Sequence, residues 1–184
     1  MSFDPSVQRT ITALTVHQPW SWAVCNAGRN IENRDWRPPP YIAYQSIAIH
    51  AGRKWTRNEK IEASALACQL HPDLEVPLGA EGYVFGSVVA LARVVGFIDR
   101  DLREDRGPYS FDMETSKGFV CVGGRVSRKD VQAAVESPWF EGPCAWLLSD
   151  VRVLTEPVEV RGYQKLWRLP GPAALKVASQ VDVS

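Results

Sequence analysis

A chain of 184 residues is near the usual size of one domain and can bury a core without staples. With 45% hydrophobic and 23% charged residues and a formal net charge of zero, it has the composition of an ordinary soluble globular protein, and neutrality argues against non-specific coating of nucleic acid. No apolar run approaches the roughly 18 residues of a membrane span, and the opening MSFDPSVQRT has no basic stretch leading into an apolar one, so a cytoplasmic protein without membrane association is expected.

Residues 1–11 read as a flexible N-terminal tail, polar and interrupted by a proline. Ile11 to Val16 is β-branched and apolar and predicts a strand, closed by His17-Gln18. Pro19 suits the first turn of a helix and Gly28 its left-handed C-terminal cap, so a helix is expected over Pro19 to Ala27. Trp20 and Trp22 lie two apart on that helix, so one of them should be partly exposed. Arg29 to Arg34 reads as a short strand, Pro38-Pro39-Pro40 as an extended loop, and Ser46 to His50 as a strand with Ile47 and Ile49 at period two. Thr56 followed by Glu59 has the form of a capping box and starts a helix that runs to about Leu70.

Val84 to Ile98 is long, apolar and β-branched, as in a barrel strand, with Arg93 on an exposed face. Asp99 to Thr115 is charged and contains Gly107-Pro108, which predicts a surface loop or insertion. Gly118 to Val122 predicts a strand, and Ser127 with Asp130 caps a short helix over Arg128 to Glu136. Cys144 to Leu148 and Val151 to Leu154 look like separate strand pieces, Leu166 to Leu169 is too short to classify, and residues 170–184 read as a C-terminal tail with one helical turn. Strands outnumber helices: the expected class is α+β, a small curled sheet or barrel with helices packed at its openings, in one domain over 12–169.

The unusual chemistry is concentrated between Thr15 and Lys54, which holds two of the three histidines and three of the seven tryptophans. Flat rings (Trp20, Trp22, Trp36) alternate there with Gln18, Arg29, Glu32, Arg34, His50, Arg53 and Lys54. Rings stack on bases and fixed donors read edges and phosphates, so the stretch suits a planar or nucleotide ligand. Arg29 to Lys60 carries seven basic residues against three acids, a local +4, whereas Ile61 to Thr115 carries four against ten, a local −6. Glu32 and Arg34, at strand spacing, form either a structural ion pair or a site in which Glu32 orients the Arg34 fork toward a phosphate. His17, His50 and Lys54 are the candidate catalytic proton carriers, with structural hydrogen bonding as the alternative for both histidines. No third ligand has the spacing for a metal site, and no cofactor is expected. Cys25, Cys68, Cys121 and Cys144 are far apart and read as buried reduced thiols.

With HQPW at His17 to Trp20, AGRNIENRDW at Ala27 to Trp36 and IAIHAGRKW at Ile47 to Trp55, the chain resembles the ASCH domain, a member of the PUA-like superfamily of nucleic-acid-related β-barrel folds. The matching positions are Gln18, Pro19 and Trp20, then Gly28, Ile31, Glu32, Arg34 and Trp36, then Ile49 and His50. GSVVALARVVGFID, PCAWLLSDVRVL and VRGYQKLWRL can fill the family's later strands, so the resemblance spans about Thr12 to Leu169. It implies a PUA-like barrel with a cleft beside the first helix, and roles in RNA processing, RNA modification or transcription coactivation. Family members include nucleic-acid-binding coactivator domains, amidohydrolases of an acetylated cytidine, and proteins that cleave RNA. Those amidohydrolases use a lysine in the Gly-x-Lys turn. Here Asn30 stands at that position and cannot act as a base or an amine nucleophile. The expectation is therefore an ASCH-type module that binds RNA or single-stranded nucleic acid through Gln18, Trp20, Arg29, Glu32, Arg34, Trp36, His50, Arg53 and Lys54. The alternatives are a hydrolase of RNA or of a modified nucleoside, and a protein-interaction module in a transcription or RNA-processing complex.

Overall fold

The structure, a computed structural model, describes residues 10–69, 73–101 and 110–181. Most of the expected N-terminal tail, the helix end at Leu70 and the Gly107-Pro108 turn lie outside these residues. The fold is α+β, as expected, and the chain divides into two compact units, each discontinuous in sequence. One comprises Met1–Gly28, Ile47–Leu91 and Arg152–Ser184, the other Arg29–Ser46 and Ala92–Val151. Among the described residues no helix is long and apolar enough to cross a membrane.

In the first unit, β1 (Thr12–Val16) runs parallel to β3 (Ser46–Ala51), with Ala13 opposite Ala48 and Thr15 opposite His50. β8 (Leu166–Arg168) pairs antiparallel on the other side of β1. Ala13, Leu14, Ile47, Ala48 and Ile49 are fully buried, so the β-branched runs of the sequence are strands because both of their faces are covered. Helix α1 (Trp20–Asn26) starts just after Pro19 and ends at Ala27, leaving Gly28 at φ 64°, where no added Cβ would meet a neighbour. The glycine is therefore there for its left-handed backbone. Trp20 and Trp22 are both half-buried. Helix α2 (Arg57–Gln69) follows the expected capping box. The Glu59 carboxylate accepts the Thr56 N–H at 2.8 Å and the Thr56 hydroxyl, while Thr56 Oγ1 accepts the Asn58 N–H at 3.2 Å.

The segment expected as a C-terminal tail carries an 11-residue helix, α4 (Gly171–Val181). Its apolar stripe, Ala173, Ala174 and Val177, joins Val88, Leu154, Val158 and Trp167 in one buried cluster. Gln180 anchors it further: its Oε1 accepts from Thr155 Oγ1 and the Glu156 N–H, both at 2.9 Å, and its Nε2 donates to the Glu156 carbonyl at 3.0 Å. The small residues of this stripe let the helix approach its neighbours closely.

In the second unit, β2 (Ile31–Arg34) pairs antiparallel with β7 (Cys144–Glu159), Glu32 opposite Trp146. β7 is one 16-residue strand that continues into the first unit, where the sequence suggested separate pieces. The interruption at Ser149-Asp150 is a local one, Asp150 adopting φ 47° and pairing with Arg93 at 3.0 Å. Strand β4 (Ser87–Asp99) likewise belongs to both units and bears out the expected long strand, with Arg93 exposed. Against the expected loop, Ser110–Thr115 forms a strand, β5, paired with β6 (Gly118–Gly124). Met113 is buried between the exposed Asp112 and Glu114, an alternation that the surrounding charges hid. Helix α3 (Arg128–Glu136) is capped by Ser127, whose Oγ accepts the Asp130 N–H at 3.1 Å. All four cysteines are free, but Cys68 is exposed rather than buried because it falls on the outer face of α2.

Candidate nucleic-acid interface

The parallel register of β1 and β3 carries both strands to their C-terminal ends at one edge of the first unit. The Gly52 N–H donates to the Val16 carbonyl at 2.9 Å, so His17-Gln18 and Arg53-Lys54 leave the sheet side by side. A third segment, Glu159 to Tyr163 after β7, closes the same corner. The Val160 N–H donates to the Gly86 carbonyl at 3.0 Å, and the Gly86 N–H donates to the Ala51 carbonyl at 2.7 Å.

Thr15 and His50 hold this corner from beneath. Thr15 Oγ1 donates to the Tyr163 carbonyl at 2.8 Å and accepts from Trp167 Nε1 at 3.1 Å. His50 Nε2 faces the Val160 carbonyl at 3.0 Å; a carbonyl only accepts, so Nε2 carries the proton, and Nδ1 is left toward Thr15 Oγ1 at 3.4 Å. The imidazole is 1% exposed and lies edge to face on Trp167, with ring centroids 5.4 Å apart. Burial lowers its pKa, more than the carbonyls of Val160 and Gly86 raise it, and the charge of Arg53 lowers it further. His50 is thus a neutral, enclosed ring that positions the Glu159–Tyr163 segment and presents no surface to a ligand.

Three glycines make room for three of the side chains that the sequence singled out. A Cβ on Gly52 would stand 2.7 Å from His17 Nδ1, one on Gly162 would strike the His50 ring, with Nδ1 at 2.5 Å, and one on Gly86 would strike the Arg53 guanidinium. His17 is exposed over Gly52.

Arg53 Nη2 meets Glu159 Oε1 at 3.0 Å with side chains 68% and 79% exposed, a pair that water and competing anions readily open. Lys54 Nζ sits 3.1 Å from Glu59 Oε1. Burial opposes ionisation of Glu59, but hydrogen bonds from the Thr56 hydroxyl, Lys54 and backbone N–H groups outweigh it and hold the carboxyl down to about 2. Gln18 is buried with both amide ends engaged: Nε2 donates to the Val84 carbonyl at 2.7 Å, and Oε1 accepts the Trp22 N–H at 3.0 Å. Trp20 Nε1 donates to Glu62 Oε2 at 3.0 Å. These two residues tie α1 to its surroundings.

Tyr163 and Arg161 escaped the sequence reading. The Tyr163 ring is 53% exposed, rests edge to face on Trp167 at 5.4 Å, and has the Arg161 guanidinium 5.6 Å from its centroid. Lys165, at φ 57°, turns the chain back into β8. The signal was present in VRGYQKLWR, nine residues with three cations and two rings, the same composition that drew attention to the opening stretch.

Arg29, Glu32, Arg34 and Trp36 belong to the second unit. The buried Glu32 carboxylate bridges two guanidinium groups, Oε2 to Arg29 Nη1 at 2.5 Å and Oε1 to Arg34 Nη2 at 2.9 Å. This triad carries a net charge of +1. Arg29 is enclosed, whereas the Arg34 side chain is 22% exposed. Trp36 stands edge to face on the buried Trp146 at 4.6 Å and accepts, at its carbonyl, the Trp146 Nε1–H at 2.9 Å. So the sequence cluster is divided: His17, Gln18, Trp20, His50, Arg53 and Lys54 are placed in one unit, and Arg29, Glu32, Arg34 and Trp36 in the other. Among the described residues no group of three or more His, Cys, Asp or Glu is placed to hold a metal ion.

No family model and no curated protein matches the chain. Among solved structures it is similar to the ASCH protein of Zymomonas mobilis, at 16% identity over 91% of this chain and 93% of that one, with a TM-score of 0.43. It is similar also to a tyrosine-to-phenylalanine mutant of that protein, at 16% identity over 93% and 98% with a TM-score of 0.44. A serine-to-alanine mutant matches at 16% identity over 94% and 96%, with a TM-score of 0.43.

Proposed function

We propose that the corner at the ends of β1 and β3 is a single-stranded nucleic-acid surface of an ASCH-type module, with RNA as the first ligand to test. Arg53, Lys54 and Arg161 take phosphates and the Tyr163 ring takes a base. The observation that carries the reading is the half-exposed Tyr163 ring with a guanidinium beside it, on a segment locked from beneath by Thr15 and His50. A ring whose backbone is already fixed loses little freedom on stacking, and base–aromatic stacking contributes about 1–3 kcal/mol per base. The exposed Arg53–Glu159 pair suits exchange of a carboxylate for a phosphate, since its own net worth is small. Arg34 and Trp36, both half-buried, are the contact residues available on the second unit.

The test is fluorescence anisotropy with short single-stranded RNA and DNA oligomers at two salt concentrations. Affinity is expected to fall as salt rises. Tyr163→Ala is expected to lower it about tenfold, Arg53→Ala to lower it and flatten the salt slope by about 1. Arg34→Ala measures the second unit separately. Absence of binding at low salt, or full affinity in Tyr163→Ala, refutes the proposal.

A further inference from the structure

Tyr44, in the second unit, adopts φ 65°, a left-handed backbone that bulky side chains avoid. Three backbone hydrogen bonds fix it there. The Tyr44 N–H donates to the Val94 carbonyl at 2.8 Å, the Val94 N–H to the Gln45 carbonyl at 3.1 Å, and the Gln45 N–H to the Ile42 carbonyl at 2.9 Å. None of these bonds needs a tyrosine, and glycine would make them without strain. Burial does not account for the ring either, since the residue is 41% exposed.

The group that meets the ring is a cation: the Arg125 guanidinium lies 5.2 Å from its centroid. Arg125 follows the close approach of β4 and β6, where Gly96 pairs with Gly124 at φ 101° and a Cβ on Gly124 would stand 2.5 Å from the Val95 carbonyl oxygen. Arg125 is exposed and forms no ion pair among the described residues. The acid that follows it, Asp130, already accepts from Ser127 Oγ at 2.6 Å. A fixed, half-exposed ring beside a guanidinium with no carboxylate to neutralise it suits a ligand that joins a flat body to an anion. The Tyr163–Arg161 pair of the first unit has the same two parts.

We infer that Tyr44 and Arg125 form a second nucleotide-binding site, in which a base stacks on the Tyr44 ring and its phosphate pairs with the Arg125 fork. The strained backbone then serves to present the ring in one orientation, so that little freedom is lost on stacking. The site lies in the second unit, and its occupancy does not depend on that of the corner at the ends of β1 and β3.

The full chain is titrated with 5′-AMP and with adenosine, and binding is read separately from the amide resonances of Tyr44, Gln45 and Arg125 and from those of Gly162 and Tyr163. AMP is expected to give saturable shifts at the first group. Tyr44→Gly is expected to weaken AMP there about tenfold, and to leave the thermal midpoint of the free protein at or above that of the parent, because glycine accepts the left-handed backbone. Arg125→Gln is expected to weaken AMP about fivefold and adenosine not at all. The inference is overturned if AMP gives no saturable shift at Tyr44, Gln45 and Arg125, if Tyr44→Gly binds AMP there with parental affinity, or if Arg125→Gln weakens adenosine as much as AMP. A markedly lower midpoint for Tyr44→Gly overturns it as well, because the ring would then be held for packing. Shifts confined to Gly162 and Tyr163 overturn this inference and leave the proposed corner standing; shifts confined to Tyr44, Gln45 and Arg125 support it and count against the corner.

Discussion

Removal of the Glu59 charge tests whether the α2 capping box is held by an ionised carboxylate. Glu59→Gln keeps the shape and one acceptor oxygen for the Thr56 N–H while deleting the charge that Lys54 and the Thr56 hydroxyl face. A carboxyl held at about 2 rather than at the usual 4.5 corresponds to about 3 kcal/mol at 1.36 kcal/mol per unit. The Lys54 side chain is 53% exposed, and solvent screening reduces the expected loss to about 2 kcal/mol. For a chain of this size that is a fall in Tm of about 4–8 °C. The sign follows from linkage. The folded-state pKa is depressed, so the unfolded chain binds more protons on acidification, and this stability is fully present above about 4.5 and lost as pH falls toward about 2. Urea unfolding of parent and variant from pH 7 down to pH 3 is the assay. The variant should be less stable by about 2 kcal/mol at pH 7, and the gap should narrow steadily below about pH 4.5. A gap that is absent at neutral pH, or unchanged at pH 3, refutes the electrostatic account.

Two further outcomes follow from buried groups. Because His50 has a lowered pKa when folded, the unfolded state takes up its proton first. Stability should fall between pH 7 and pH 5, and His50→Gln, which keeps a donor for the Val160 carbonyl, should show a smaller fall in thermal midpoint; an equal fall would assign the effect elsewhere. Glu32→Gln leaves two guanidinium groups around a neutral amide, and should cost about 3–5 kcal/mol in denaturant unfolding at pH 7. A loss below about 1 kcal/mol would mean that the triad is not held by its carboxylate.

Features decided within three or four residues were legible in the chain. Thr56 with Glu59 and Ser127 with Asp130 cap helices, Gly28 ends α1, and Val84 to Ile98 marks the long strand β4, because capping, backbone sign and period-two burial are local properties. Glu32 and Arg34 were readable as a pair for the same reason; Arg29 as the third member was not, since its approach depends on how the chain turns into β2. Strand β5 and helix α4 were missed because charge masks the alternation in the first, and the Pro170-Gly171-Pro172 run that opens the second reads locally as a helix breaker.

The candidate site shows the division most clearly. By itself the sequence determined the ingredients: cations beside flat rings, in a chain of zero net charge whose basic residues crowd one stretch. Only the tertiary structure decided which of them meet. Thr15 reaches the Tyr163 carbonyl across 148 positions, and His50 reaches that of Val160 across 110, so the rings at the surface corner come from a segment remote from the opening one. The same register encloses His50 and places Gly52 and Gly162 where any side chain would collide with His17 or His50. Contacts of this kind depend on strand register and on the close approach of distant backbones, and neither is encoded in the local spacing of residues.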